Sequence, residues 1–359
     1  MAYVLTSLGI AISSAIAFRI YMRLTTRWNG CYTCLTGKTA IVTGANSGIG
    51  YYTALDFAKR GARVILACRN RSRAEEALEK IVKATGNQNV VYKLLDLTSL
   101  QSVRNFAQDI NENEDRLDIL VNNAGIGIQT EDYTEDGIQT ILQVNHVGGF
   151  LLIHLLIDKL KKTGGARIVN VASFLATWAS LSPTKINRIN QALPPTIFVS
   201  EMYYNSKLCN ILCTIELANR LSGTDVTVNA LHPGIINTDL FREMPRYVQV
   251  FMKIVGTLFL KTSEEGAQTQ IYAAVSNDVA SVSGGLFSNC RKIEIYKKAR
   301  DPVLIEKNDD SNEGLLKLTS KGDRLIIAHA GGEDGFSSVE IIKKTGDYHH
   351  NMNFEDYKS

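Results

Sequence analysis

The stretch "TGANSGIG", residues 43–50, lies between an apolar run and an amphipathic segment. The run "TAIVTGA" is typical of a buried strand, and "GYYTALDFAKRG" is typical of a helix that ends at Gly61. Glycines in such a turn let the backbone approach a pyrophosphate, which the unpaired N–H groups and the dipole at a helix N-terminus favour. A glycine-rich turn alone is a weak signal, but between a strand and a helix it predicts a dinucleotide-binding site.

Strand-like and helix-like segments alternate from Lys38 to about residue 300. The helical segments include the charged "SRAEEALEKIVKAT". The further strand-like runs are "ARVILACR", "VVYKLLDL", "LDILVNNAG", "ARIVNVAS", "DVTVNALHPG" and the short "SGGLFSN" at 283–289. Such alternation implies right-handed crossovers between parallel strands. The sequence therefore predicts an α/β protein with a Rossmann-type, doubly wound parallel sheet of about seven strands.

The composition bounds the class of protein. The chain has 359 residues, of which 45% are apolar, so a sizeable core is expected and general disorder is not. Its formal net charge is +3 without a long basic run, so no nucleic-acid partner is expected. Cys31 and Cys34 form a lone CxxC with no second ligand pair. This pattern predicts reduced thiols, or S-acylation beside a membrane, and no metal site.

The residue after the second strand indicates which nucleotide is bound. An acidic side chain about 20 residues past the glycines would bond the ribose 2′-OH of NAD, whereas a basic one suits the 2′-phosphate of NADP. The residue here is Arg69, and Arg71 and Arg73 follow it closely. Arg73 can also be interpreted as part of a solvated helix start. Arg69 therefore favours NADP(H).

A second motif, "YYNSK" at 203–207, leaves a choice open. Positions three and four apart are neighbours on a helix, so Lys207 could reach either Tyr203 or Tyr204. An isolated pair of this kind is also typical of an amphipathic helix whose polar tips reach solvent. Spacing alone does not decide between the two tyrosines.

A series of motifs resembles the short-chain dehydrogenase/reductase family, and most closely its microsomal retinol dehydrogenase branch. The motifs run in the family's order from about residue 36 to about residue 296. They are "TGANSGIG", "ACRN", "LLDLTSLQSVRNFA", "LDILVNNAG", "VNHVGGFLL", "RIVNVAS", "YYNSKLCNILCTIELANRL" and "NALHPGIINTDL". The resemblance implies a catalytic domain over residues 36–300 that uses a nicotinamide cofactor.

The resemblance also implies a catalytic tetrad of Asn145, Ser173, Tyr203 and Lys207, and it leaves Tyr204 at a variable position. A carbonyl that accepts hydride develops negative charge on oxygen, and the Tyr203 phenol would supply the proton. Free tyrosine has a pKa of about 10, so it needs a nearby cation to act near neutral pH. Lys207 would supply that charge and bond the nicotinamide ribose. Ser173 would hold the substrate oxygen, and Asn145 would support a water-linked proton relay.

The cofactor contacts implied by the resemblance fall in the same motifs. Thr238 is expected to contact the nicotinamide amide, and Tyr203 and Lys207 would serve both cofactor and reaction. The implied set is Gly44, Asn46, Ser47, Gly48, Ile49, Gly50, Arg69, Asp96, Asn123, Ala124, Gly125, Tyr203, Lys207, Pro233, Gly234, Ile236 and Thr238.

Two further segments bear on the substrate. "LSPTKINRINQALPP" lengthens the stretch between Ser173 and Tyr203, as similar insertions do in the retinol dehydrogenase branch. Residues 240–260 are rich in Phe, Met, Val and Leu, and they lie where the family places its substrate lid. Such a lid would suit a lipophilic alcohol or aldehyde, although ordinary core packing explains the composition equally well.

The N-terminal residues predict a membrane anchor over residues 1–28. Residues 2–18 carry no charge, and Arg19, Arg23 and Arg27 follow them. A cleaved signal peptide would carry its positive charges before the apolar part, and a buried helix is the other alternative. The positive-inside rule then places the catalytic domain in the cytosol. We expect the endoplasmic reticulum membrane, with lipid droplets as a second location.

Residues 301–359 fall outside the dehydrogenase pattern. "GDRLIIAHAGGEDGF" and "KKTGDYHHNMNFEDY" resemble a fragment of transposon proteins of the DDE-transposase class. No complete acidic triad is present in this segment. We therefore interpret it as a non-catalytic appendage that derives from a transposon exon or from an erroneous gene model.

Three functions are compatible with the sequence. The first is an NADP-dependent oxidoreductase that interconverts retinol and retinal or a similar lipophilic pair. The second is the same type of enzyme acting on a steroid, a fatty aldehyde or a xenobiotic carbonyl. The third is a non-enzymatic cofactor-binding or nucleic-acid-associated protein, which a complete tetrad disfavours. The expected partners are a lipophilic small-molecule substrate and the membrane, and a homodimer stays open.

Overall fold

The computed structural model describes residues 13–14, 16–21, 23–127, 133–182, 201–236, 256, 260–307, 317–319, 324–332 and 335–344. Its main feature is an eight-stranded sheet with the order β3-β2-β1-β4-β5-β6-β7-β8. The strands are β1 Thr39–Thr43, β2 Arg63–Cys68, β3 Val90–Leu94, β4 Ile119–Asn122, β5 Arg167–Val171, β6 Thr227–Leu231, β7 Leu286–Ser288 and β8 Arg291–Ile293. All neighbours from β3 to β7 run parallel, so their carboxyl ends meet along one edge of the sheet.

Helices cover both faces of this sheet. They are α1 Gly48–Lys59, α2 Arg71–Thr85, α3 Leu100–Asn113, α4 Thr140–Thr163, α5 Glu201–Arg220 and α6 Ser263–Val275. Successive side chains of a strand point to opposite faces. Ile41 accordingly packs in a core with residues of α3, α4 and α5, whereas Ala40 and Val42 pack in a second core with residues of α1, α2 and α6. The predicted α/β, doubly wound fold is confirmed.

The predicted number of about seven strands is wrong by one. The segment at 283–289 does contain β7, but a further strand, β8, pairs antiparallel with it. The chain reverses at Asn289 and Cys290, whose φ angles of 50° and 55° lie in the left-handed region. Two consecutive residues in this region form the turn that suits a two-residue hairpin. The reversal adds an antiparallel edge strand to an otherwise parallel sheet.

Helix α4 is long and apolar. Within the described part of the chain, it alone has the length and mean hydropathy to cross a membrane, but 78% of its most apolar stretch is buried inside the protein. Helix α4 is therefore a core helix. It also contains a π turn over Gln143–Val147. The anchor predicted at residues 1–28 lies largely outside the described residues and stays a prediction.

The segment before β1 is hydrogen-bonded to residues much later in the chain. Its backbone is helical at residues 16–21 and 23–25. Beyond that helix, Arg27 N donates to Asn289 Oδ1 over 3.0 Å, and Asn289 Nδ2 donates to Thr25 O over 2.8 Å. Thr33 Oγ1 donates to the carbonyl of Val275 over 2.9 Å. The β7–β8 turn and the end of α6 therefore hold residues 25–33, which are called the linker below.

The packed domain continues beyond residue 300. Helix α7, Pro302–Lys307, follows, and Leu304 is buried in the same core as residues of α5. A boundary at residue 300, as predicted, would cut this helix from its core. The remaining described residues form a three-stranded antiparallel sheet of β9 Lys317–Thr319, β10 Arg324–Gly332 and β11 Gly335–Lys344. The transposase-like origin of this tail stays a prediction.

Candidate active site

The glycine-rich turn joins β1 to α1 at the carboxyl edge of the sheet. Gly44 and Gly48 have φ angles of +66° and +57°, which favour glycine. A Cβ on Gly50 would lie 2.4 Å from Asn123 Nδ2 and 2.5 Å from Gly44 O. The turn is therefore packed tightly on the end of β4. Of the predicted cofactor residues, this turn and the start of α1 bring together Gly44, Asn46, Ser47, Gly48, Ile49 and Gly50.

A buried amide network fixes the shape of this turn. Asn123 Nδ2 donates to Thr43 O over 2.7 Å, and Asn123 Oδ1 accepts from Gln270 Nε2 over 3.1 Å. Gln270 Oε1 in turn accepts from Thr53 Oγ1 over 3.0 Å. Gln270 on α6 is fully buried and was not predicted from the sequence. No sequence signal separates it from the other buried polar residues of α6, which are Glu265, Gln268 and Thr269.

The four predicted catalytic residues lie on three elements that meet at this edge. Asn145 lies in the π turn of α4, Ser173 follows β5, and Tyr203 and Lys207 lie near the start of α5. The Ser173 hydroxyl lies close enough to Tyr203 to act on the pKa of its phenol. A Cβ on Gly125 would lie 3.2 Å from both Asn145 Oδ1 and Lys207 Nζ, so a side chain there would press on both groups.

The structure distinguishes the two tyrosines. Tyr203 is 7% exposed and lies beneath the ammonium of Lys207, whose Nζ is 5.7 Å from the centre of its ring. Tyr204 is half-buried and packs edge-on against Trp178, with ring centres 6.0 Å apart. The geometry therefore pairs Lys207 and Ser173 with Tyr203.

The charges of this site are governed by burial. Burial raises the pKa of Tyr203, although the Ser173 hydroxyl acts to lower it. Burial also lowers the pKa of Lys207 to about 8. The sequence led us to expect a lowered pKa at Tyr203, and the direction is the reverse. The reason is that desolvation disfavours the charged form of each group.

The polar atoms of the Asn145 side chain have hydrogen-bond partners within the protein. Its Oδ1 accepts from Ile126 N over 2.8 Å, and its Nδ2 donates to Ile126 O over 2.9 Å and to Ser206 Oγ over 3.1 Å. These bonds tie α4 to the segment after β4 and to α5. Its main-chain carbonyl accepts from Asn210 Nδ2 over 2.9 Å. Any part of Asn145 in a proton relay would therefore involve its main chain.

The remaining predicted cofactor residues extend along the same edge. Arg69 is exposed directly after β2. Asp96 follows β3, and its Oδ1 accepts from the backbone and hydroxyl of Thr98 over 2.9 and 2.7 Å. Ala124 and Gly125 follow β4, and Pro233, Gly234 and Ile236 follow β6. Thr238 lies outside the described residues, as do residues 183–200 of the insertion and nearly all of the predicted lid at 240–260.

Comparison with known proteins identifies the family of the chain. Residues 38–182 match the family described as short chain dehydrogenase. The chain is 44% identical to retinol dehydrogenase 14 of Mus musculus, over 78% of this chain and 87% of that protein. It is 43% identical to dehydrogenase/reductase SDR family member 13 of Bos taurus, over 74% of this chain and 70% of that protein.

A solved structure shares the same fold. The short chain dehydrogenase of Burkholderia cenocepacia, solved in complex with NADP, is 27% identical, with a TM-score of 0.56 over 71% of this chain and 97% of that chain. The chain belongs to the short-chain dehydrogenase/reductase family, whose members are NAD(P)H-dependent oxidoreductases. Within that family it is retinol dehydrogenase-like.

Proposed function

We propose that the chain is an NADP(H)-dependent oxidoreductase that interconverts a lipophilic alcohol and its aldehyde or ketone, with retinol and retinal as the favoured pair. The observation that carries this proposal is the meeting of Ser173, Tyr203 and Lys207 beside Gly125, at the edge that holds the glycine-rich turn. The choice of retinoids rests on the 38–44% identity to proteins named retinol dehydrogenases.

The residues of this edge fit a nicotinamide dinucleotide. Gly50 lets the start of α1 pack closely against Gly44 and Asn123, and the first N–H groups of α1 have no side-chain cap from Ser47. Such a helix start favours a pyrophosphate. Arg69 is exposed at the end of β2, which supports NADP(H) over NAD(H). The bound cofactor would supply or accept the hydride.

The side chains of the site divide the proton chemistry among them. In reduction, the Tyr203 hydroxyl donates its proton to the carbonyl oxygen, and its raised pKa keeps it protonated at neutral pH. The Ser173 hydroxyl, which lies beside Tyr203, holds that oxygen. The Lys207 ammonium, held by the Val171 carbonyl at 2.9 Å, stabilises the phenolate that remains.

Exposed aromatic side chains beside Ser173 support a lipophilic substrate. Phe174 and Trp178 are 47% and 62% exposed, and their ring centres lie 6.5 Å apart. Tyr204 packs against Trp178 at the same place. An apolar alcohol or aldehyde would cover these rings and gain from their removal from water.

We also propose that residues 1–28 anchor the protein in the endoplasmic reticulum membrane, with its catalytic domain in the cytosol. Ile20, Tyr21 and Leu24 in the described part of this segment are 52%, 62% and 81% exposed. Exposed apolar side chains on a helix followed by Arg27 suit a membrane interface. This proposal also accounts for how a lipophilic substrate would reach the site.

The test is a panel of all-trans-retinal, a steroid ketone and a fatty aldehyde, assayed with NADPH and with NADH on membranes that contain the full chain. We expect the highest kcat/KM with retinal and NADPH, and no turnover by Tyr203→Phe. A higher kcat/KM with the steroid or the fatty aldehyde would move the substrate to that class. No turnover of any carbonyl would overturn the enzymatic function.

A further inference from the structure

Asn210 lies one turn beyond Lys207 on α5, and the sequence analysis did not single it out. Its side chain is buried, at 8% exposure. Its Nδ2 donates to Asn145 O over 2.9 Å and to Val171 O over 3.3 Å. The Val171 carbonyl also accepts from Lys207 Nζ over 2.9 Å. One amide therefore links the carbonyl that holds Lys207 to the main chain of Asn145.

The two carbonyls belong to separate elements of the fold, so the local backbone does not fix their relative position. Val171 is the last residue of β5, whereas Asn145 lies within the π turn of α4. A π turn shifts the helical hydrogen bonds by one residue, and such turns are frequent at functional sites. The Asn210 amide bridges this turn and the end of the strand. Its loss would leave both carbonyls without that shared donor.

His146 fixes which way the Asn210 amide points. His146 Nδ1 lies 2.9 Å from Asn210 Oδ1. Because Asn210 Nδ2 faces two carbonyl oxygens, its Oδ1 must be the acceptor, and His146 Nδ1 must carry the proton. The ring is 2% exposed, and burial lowers its pKa to about 4, so it is neutral in the physiological range. A neutral Nδ1–H donor holds the amide in the required orientation.

We propose that Asn210 is a positioning residue for proton transfer. Its amide holds the Val171 carbonyl, which binds Lys207, and the main-chain carbonyl of Asn145, and His146 orients that amide. The inference rests on the proposed function, because it assigns Asn210 to the step in which Tyr203 delivers its proton. Asn210 acts through Lys207 and does not touch the reacting atoms. The glycine-rich turn at 43–50 shares no hydrogen bond with it among those described above.

The chain offers a matched control in Asn229. This residue of β6 is 2% exposed, and its amide also holds main-chain groups: Nδ2 donates to Val282 O over 2.6 Å, and Oδ1 accepts from Gly285 N over 2.9 Å. Asn210→Leu and Asn229→Leu each remove side-chain hydrogen bonds to buried main-chain groups, so both should lower the free energy of unfolding. They should differ in catalysis.

We expect Asn210→Leu to lower kcat by about tenfold to a hundredfold, as misplacement of a catalytic group does, while the KM for NADPH stays within a few-fold of the wild-type value. Asn229→Leu should keep kcat within a few-fold. In a Lys207→Met background, Asn210→Leu should cost little more, because residues that act as one unit are not additive. Equal kcat values for Asn210→Leu and Asn229→Leu would overturn the inference. The same holds if the loss of kcat in the double variant of Lys207→Met and Asn210→Leu equals the product of the two single losses.

Two measures keep the test decisive. If Asn210→Leu does not fold, the isosteric Asn210→Asp also removes the amide donor, and the same fall in kcat is expected. A crystal structure of either variant needs no substrate, so it separates this inference from the proposed function. It should show Lys207 Nζ displaced from the Val171 carbonyl, and an unmoved Nζ would contradict the proposal.

Discussion

Lys207 Nζ lies 5.7 Å from the centre of the Tyr203 ring, and the acceptor that holds it is the uncharged carbonyl of Val171. Because a carbonyl does not neutralise the ammonium, its positive charge remains available to the oxygen of Tyr203. Both side chains are almost completely buried, at 3% and 7% exposure, so this attraction is screened little by solvent. This arrangement supports the proposed role of Lys207, which is to stabilise a Tyr203 phenolate during turnover.

The first prediction concerns the two adjacent tyrosines. Tyr203→Phe removes the proton donor but keeps the ring, so turnover should fall by about 10²–10⁴-fold, as expected for general acid–base catalysis. The Kd for NADPH should change little. The matched control is Tyr204→Phe, whose ring packs on Trp178, and it should stay within a few-fold of wild type. Steady-state kinetics on purified protein would decide, and an inactive Tyr204→Phe beside an active Tyr203→Phe would reverse the assignment.

The second prediction concerns the glycine-rich turn. An alanine at position 50 would place its Cβ 2.4 Å from Asn123 Nδ2 and 2.5 Å from Gly44 O, and one of these groups must move. Overpacking of this kind lowers the free energy of unfolding by about 1–3 kcal/mol. Because the turn itself is displaced, we also expect the Kd for NADPH to rise by about tenfold or more. Gly30→Ala is the control, since a Cβ there meets nothing within 4 Å. Unchanged NADPH fluorescence titrations for Gly50→Ala would remove this turn from the cofactor site.

The third prediction concerns the choice between NADPH and NADH. Arg69→Asp replaces a partner of the 2′-phosphate by a repelling charge, and hydrogen bonds to charged groups contribute about 1.5–3 kcal/mol. The KM for NADPH should therefore rise by about tenfold or more, and the KM for NADH should fall. Arg73→Asp, in the first turn of α2, is the control and should change neither value strongly. A wild-type protein that uses NADH as well as NADPH would contradict the NADP(H) assignment.

The fourth prediction concerns stability in acid. Burial lowers the pKa of His232 to about 4 from its usual 6.5, and Lys261 adds to the effect. Between these values the unfolded chain binds a proton that the folded protein does not, so the free energy of unfolding falls as the pH drops. For one histidine the slope is at most about 1.4 kcal/mol per pH unit. This destabilisation by His232 is absent above pH 6.5 and reaches its full size below about pH 4.

Urea unfolding of wild type and His232→Gln at pH 7 and at pH 5 measures this slope. Groups common to both proteins cancel in the difference. We expect wild type to lose more stability than His232→Gln between these two values. Equal losses would show that His232 is hydrated or protonated in the folded protein.

The outline of the fold and the location of the site could be predicted because both depend on local patterns. The strand and helix periods define a doubly wound sheet, and residues that follow its parallel strands must meet at one edge. Gln270 could not be predicted, because its bond to Asn123 joins positions 147 residues apart. The same holds for Asn210 and Asn145, which are 65 residues apart. Strand β8 was missed because its turn has a cysteine at a left-handed position, where glycine is the usual signal.

The fifth prediction concerns the N-terminal segment, which combines an expected anchor with a linker that the domain holds. Asn289 bonds the backbone of Thr25 and Arg27, so a deletion of residues 1–28 removes these contacts as well as the apolar stretch. A deletion of residues 1–22 removes the apolar stretch and the bond from Arg19 to Leu260 O, but it keeps both bonds to Asn289. We expect both truncated proteins in the soluble fraction after carbonate extraction, and the shorter deletion to unfold at the higher urea concentration.

Asn289→Gly in the full chain separates attachment to the membrane from attachment of the linker. Glycine tolerates the φ of 50° at this position, so the turn should persist while the side-chain bonds to Thr25, Arg27 and Lys261 are lost. This variant should stay in the membrane fraction and lose about as much stability as the longer deletion.

Protease added to intact microsomes should digest the catalytic domain of wild type and variant alike. Protection until detergent is added would reverse the topology, and a 1–22 deletion that still sediments with membranes would show that another surface binds them.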